Sequence, residues 1–138
     1  MKLVTLLKRN LLWLVFAVFV VLALALHTDE ARVFSEGPYA LGKTTVWLIW
    51  LVFLVYSLAI SRKENFFKSL KQMSPILWSR QIGFDLYIGL LVPLTLIYLH
   101  EGSLLITALW FVPIFIFANL ATLVYLALNF ESLIRYFV

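Results

Sequence analysis

Apolar residues fill four long runs of this chain, and polar residues collect in the gaps between them. Residues 11–26, 44–60, 82–99 and 104–130 contain a single charged side chain, Asp85. A helix needs about 20 apolar residues, at 1.5 Å rise each, to cross about 30 Å of hydrocarbon. The expected crossings are residues 8–27, 44–61, 81–99 and 104–130. The first is short, since 16 uncharged residues give roughly 24 Å. Residues 3–7 are expected to lengthen it, with Lys8 and Arg9 reaching back to the headgroups. Ala23-Leu24-Ala25 also satisfies the A-x-A pattern of a signal peptide, the alternative to a retained anchor helix. The last run is long. Its 27 residues give roughly 40 Å, so a tilt or a kink is expected, with Pro113 as its place.

The gaps are as informative as the runs. Gly37-Pro38 marks a turn before the second run, where Thr44 or Thr45 is expected to cap the helix. Between the second and third runs lies the basic stretch SRKENFFKSLKQMSPILWSRQ, residues 61–81. In it Phe66, Leu70, Met73 and Leu77 recur at helical spacing, while Lys63, Lys68 and Lys71 fall off that stripe. This pattern predicts an amphipathic helix over 62–74, ended by Pro75, lying in a membrane surface with its apolar side down. Lys63, Phe66, Lys68, Lys71 and Arg80 are the expected membrane-surface and headgroup residues. His100-Glu101-Gly102-Ser103 is a tight turn joining the third and fourth runs.

Four crossings would place Lys2, Lys8, Arg9, Arg62, Lys63, Lys68, Lys71, Arg80 and Arg135 on one side, and only Arg32 and Lys43 on the other. The positive-inside rule then puts both termini in the cytoplasm. The expected fold is an all-α integral membrane protein of one domain, residues 1–138. It is a four-transmembrane-helix bundle with a cytoplasmic interfacial helix between its second and third members. The expected location is a cell membrane, the inner membrane of a bacterium.

Composition agrees with this pattern. The hydrophobic fraction is 64% and charged residues make up 13%, against about half and a quarter in soluble domains. The net charge of +4 sits beside apolar runs, which reads as membrane orientation and not as nucleic-acid binding. With no cysteine, disulfides, thiolate metal sites and thiol redox chemistry are excluded. No phosphate-binding loop, H-E-x-x-H or G-x-S-x-G occurs, so no enzymatic activity is indicated.

Three polar groupings remain. His27, His100 and Glu101 are expected at one end of the bundle, with Asp29 and Glu30 near His27. They could hold a metal, or two histidines a haem, although each histidine could simply mark the end of its helix. Asp85 lies about one turn inside the third run, where a carboxylate is costly. Its expected role is an ion pair with Arg80 or Lys71, the alternative being proton or cation handling. Asn119, Thr122 and Asn129 share one face of the fourth run and are expected to bond across helices, or else to line a solute path. The leading functional expectation is an accessory or scaffold subunit of a larger membrane assembly. The alternatives are an oligomeric carrier for a lipid, lipid-linked or hydrophobic solute, and a metal- or haem-binding protein. Membrane lipids, a second copy of the chain or a larger membrane protein are the expected partners.

Overall fold

A computed structural model describes residues 2–27, 33–34 and 36–137. It is all-helical, and no strand occurs among the described residues. In chain order the helices are α1 (Lys2–Arg9), α2 (Leu11–Leu26), α3 (Ala40–Lys63), α4 (Phe66–Met73), α5 (Leu77–Gly89), α6 (Leu91–Glu101), α7 (Leu104–Phe117), α8 (Asn119–Leu128) and α9 (Phe130–Ile134). Among the described residues two stretches, Ala40–Lys63 and Leu77–Glu101, are long and apolar enough to cross a membrane.

The second run starts earlier than expected. Its helix begins after Tyr39, and Thr45 Oγ1 donates back to Leu41 O at 2.7 Å instead of capping an N-terminus. At its other end α3 absorbs Arg62 and Lys63, so the expected amphipathic helix shortens to Phe66–Met73. Asn65 sets that start, its side chain accepting from Lys68 N at 3.1 Å. Pro75 lies in the turn that ends it, as expected. The apolar stripe of α4 stays uncovered, with Phe66 61% and Leu70 48% exposed. The third run is interrupted at Leu90, because Pro93 has no N–H to donate to Gly89 O.

The largest departure is in the fourth run. Residues 104–130 do not form one helix kinked at Pro113. Pro113 sits inside α7 without ending it, and the chain reverses five residues later, at Ala118. Ala118 adopts φ 51° and ψ −123°, a conformation that favours glycine. Its N–H closes α7 on Ile114 O, and its carbonyl opens α8 by accepting from Ala121 N and Thr122 N. Trp110 and Tyr125, on opposite arms, then meet edge to face at 4.9 Å. The run is a helical hairpin.

The registers of its neighbours fix the direction of each arm. Tyr87 OH donates to Phe115 O at 3.4 Å, so α7 descends beside α5–α6 as that pair ascends. α8 runs back antiparallel to α3, with Trp50 Nε1 donating to Leu120 O at 3.1 Å and Lys43 Nζ to Leu128 O at 3.2 Å. Consequently α9 packs on α3, and Tyr136 reaches the His100 ring at 6.0 Å between centroids. Arg135 therefore belongs at the His100 end of the bundle, opposite Lys63 and Lys68, and not with them as four crossings would require.

The core gathers around the returning arm. Leu90, Ile97, Ile114, Ala121, Tyr125 and Leu133 form one buried cluster, edged by Phe19, Trp110 and Phe117. α2 holds the hairpin through its rings, Phe16 meeting Phe117 at 4.8 Å and Phe19 meeting Trp110 at 5.5 Å. Such edge-to-face pairs add about 0.5–1.5 kcal/mol each beyond their buried area.

Candidate functional site

The hairpin stops short of the far end of α3, and that shortfall shapes the site. α7 has 14 residues and extends roughly 21 Å, whereas the 24 residues of α3 extend roughly 36 Å. Below the tip at Ala118 the walls of α2, α3 and α5 continue, and α4 crosses the bottom. They enclose a half-open chamber of about 460 Å³. Trp13, Phe53, Phe66, Leu86 and Ile116 supply much of its apolar lining. Its polar lining comes from Tyr56, Ser57, Ser61, Glu64, Ser69 and Asn119.

Several of these polar groups are already oriented by the protein. Trp13 Nε1 donates to Ser61 Oγ at 2.8 Å, tying the start of α2 to the end of α3. Ser57 Oγ donates to Phe53 O at 2.8 Å, so its remaining lone pairs alone can meet a ligand. Ser69 Oγ donates to Glu64 Oε2 at 3.1 Å, bridging the link between α3 and α4. Glu64, itself exposed, is the one charged residue among the described lining residues. No ion pair to it occurs among the described residues. Sequence reading passed over Glu64 as part of a basic linker. The signal was there: it is the single acid between Phe34–Pro38 and Asp85, set where two helices meet.

On the other side of the hairpin tip, α8 and α5–α6 bound a groove of about 430 Å³. It unites three residues singled out from sequence, Asp85, Asn119 and Thr122, and adds Tyr125. Asn119 lines both cavities. Asp85 does not pair with Arg80 or Lys71 here. Arg80 Nε donates to Ser74 O at 2.5 Å, and five residues of helix put Arg80 and Asp85 about 140° apart around the axis. Asn129 is elsewhere, buried, with Nδ2 donating to Tyr125 O at 3.1 Å. Lys63, Phe66, Lys68, Lys71 and Arg80 are all exposed.

His100 and Glu101 meet a phenol. Tyr125 OH donates to Glu101 Oε1 at 2.9 Å and lies 2.6 Å from His100 Nδ1. Among the described residues no three His, Asp or Glu side chains converge as metal ligands. Asp29 and Glu30 lie outside the described residues. This trio fastens the hairpin's returning arm to the α6–α7 turn. Two further fastenings escaped sequence reading. Trp50 reaches Leu120 O, and Lys43, fully buried, places its ammonium on the carbonyl that ends α8. A cation there complements both the unpaired carbonyls and the helix dipole.

Comparison with family models, curated proteins and solved structures gives no match to this chain.

Proposed function

We propose that this chain is an integral membrane protein that crosses the bilayer with α2, α3 and α5–α6, and inserts α7–α8 as a re-entrant hairpin. We further propose that it binds one elongated apolar or amphipathic solute in the chamber below the hairpin tip. The membrane reading is supported by burial. Only 6% of the apolar window of Ala40–Lys63, and 11% of that of Leu77–Glu101, is covered by the rest of the chain. A core helix of a soluble protein would be mostly covered, and apolar surface this extensive is not left to water. Re-entrant backbone is tolerated at membrane depth where protein surrounds it, and α8 meets that condition. Arg62, Lys63, Lys68, Lys71 and Arg80 assign the α4 end to the cytoplasm by the positive-inside rule. The C-terminus then lies on the opposite side.

The chamber carries the functional reading. Its volume falls within the roughly 300–1,000 Å³ of small-molecule sites, and its walls are largely apolar, with Ser61, Glu64 and Ser69 gathered at the α4 end. That division suits a molecule with an apolar body and a polar head. It also moves the reading away from a purely accessory role, for which packing alone would suffice. Native mass spectrometry of protein taken from membranes in mild detergent tests it. The expected result is one amphiphile retained per chain, lost in a folded Ser57→Trp variant that fills the chamber. Equal retention by Ser57→Trp contradicts the site. A co-migrating protein in fixed ratio, with no small molecule, returns the accessory role.

A further inference from the structure

We infer that the solute held below the hairpin tip is a lipophilic cation. This rests on the chamber being a binding site and adds the charge of what it takes. Five aromatic rings line the cavity: Trp13, Phe53, Tyr56, Phe66 and Phe117. Ring faces carry negative potential and attract cations, most strongly where water is displaced. Among the described residues, the one charged member of the lining is a carboxylate, Glu64, and no Lys, Arg or His lines the cavity. Ser69 Oγ holds one carboxylate oxygen of Glu64 in place, so the charge is oriented at the polar end. An anionic head would face that carboxylate with no cation among the described lining residues to receive it. Glu64 is itself exposed, as are the neighbouring bases Lys63, Lys68 and Lys71, which the cavity lining does not include. Those bases set orientation in the membrane, while the lining sets selectivity.

Two probes of matched shape and opposite charge decide the matter, tetraphenylphosphonium and tetraphenylborate. Each is titrated by equilibrium dialysis against the full chain in discs of neutral phosphatidylcholine, with uptake by empty discs subtracted. Neutral triphenylmethanol serves as the third probe. Tetraphenylphosphonium is expected to bind at one site at least about tenfold more tightly than tetraphenylborate, and Glu64→Gln to weaken it roughly five- to tenfold. Binding of triphenylmethanol is expected to survive Glu64→Gln and to be lost in Ser57→Trp. Equal affinity for the two ions, or a cation preference untouched by Glu64→Gln, overturns the inference. If triphenylmethanol still binds in that case, the chamber stands and only its charge preference is wrong. If none of the three probes binds, the chamber reading falls with it.

Discussion

Helices α3 and α8 lie side by side and solve opposite problems. α3 has 24 residues, of which only Lys43 and Val46 are buried; α8 has ten, of which six are buried. Length explains the contrast. In the proposed bilayer setting, a helix of about 36 Å carries both its ends to the interfaces, where water and headgroups satisfy the terminal backbone groups, so its flanks can face lipid. A helix of about 15 Å leaves at least one end at depth, where each orphan N–H or C=O costs several kcal/mol unless protein supplies a partner. α8 receives such partners: Lys43 and Asn129 on its last carbonyls, and Ala118 O as the acceptor for its opening N–H groups. Its small residues Ala121 and Ala127, both fully buried, allow the close approach this needs.

The sharpest way to break the comparison is to make one substitution in both environments. Ile114 on α7 is fully buried in the cluster around α8, and Ile49 on α3 is 53% exposed. Ile114→Ala is expected to cost about 2–3 kcal/mol of stability, mostly as lost packing. Ile49→Ala should stay within about 0.5 kcal/mol. Unfolding from mixed micelles by increasing denaturing detergent measures both, and equal losses would deny that α8 and its surroundings form the core.

Lys43→Met comes next. It keeps the length of the side chain while removing the donor to Leu128 O, and should cost about 2 kcal/mol, the scale of a buried charge-assisted bond. Hydrogen exchange should loosen at the end of α8 before the middle of α3. Unchanged exchange there would mean that the buried ammonium does not hold the returning arm.

The smallest effect is informative through its sign. Ala118→Gly relieves a positive φ and should stabilise by about 1 kcal/mol. In an unbroken helix over 104–130 the same change would destabilise by a similar amount. Thermal unfolding of this one variant therefore discriminates between a hairpin and a crossing.

How far the sequence could be read follows from these elements. The apolar runs, the basic linker and its short amphipathic helix were legible because each is written in local periodicity. Asp85, Asn119 and Thr122 were recognisable as polar residues in apolar runs, and they do share a groove. The reversal at Ala118 was not legible. No glycine or proline stands at that position, and Pro113, the visible breaker, leaves α7 intact. The turn is imposed by tertiary partners far along the chain, chiefly Phe16, Trp50 and Lys43. Lys43 illustrates the limit well: from sequence it is one more base to count for orientation, whereas in the fold it is a buried cap. Glu64 was missed for a related reason, since its meaning depends on rings brought to it by α2, α3 and α7.

The re-entrant hairpin is the central claim, and it fixes which side of the membrane holds the C-terminus. Because the chain has no cysteine, single ones can be placed by Lys68→Cys, Glu36→Cys and Phe137→Cys, all at exposed positions. A membrane-impermeant maleimide applied to intact cells then reads their sides directly. Phe137→Cys is expected to label together with Glu36→Cys, while Lys68→Cys reacts only after the membrane is opened. Phe137→Cys behaving like Lys68→Cys, protected until permeabilisation, would contradict the hairpin and restore a fourth crossing.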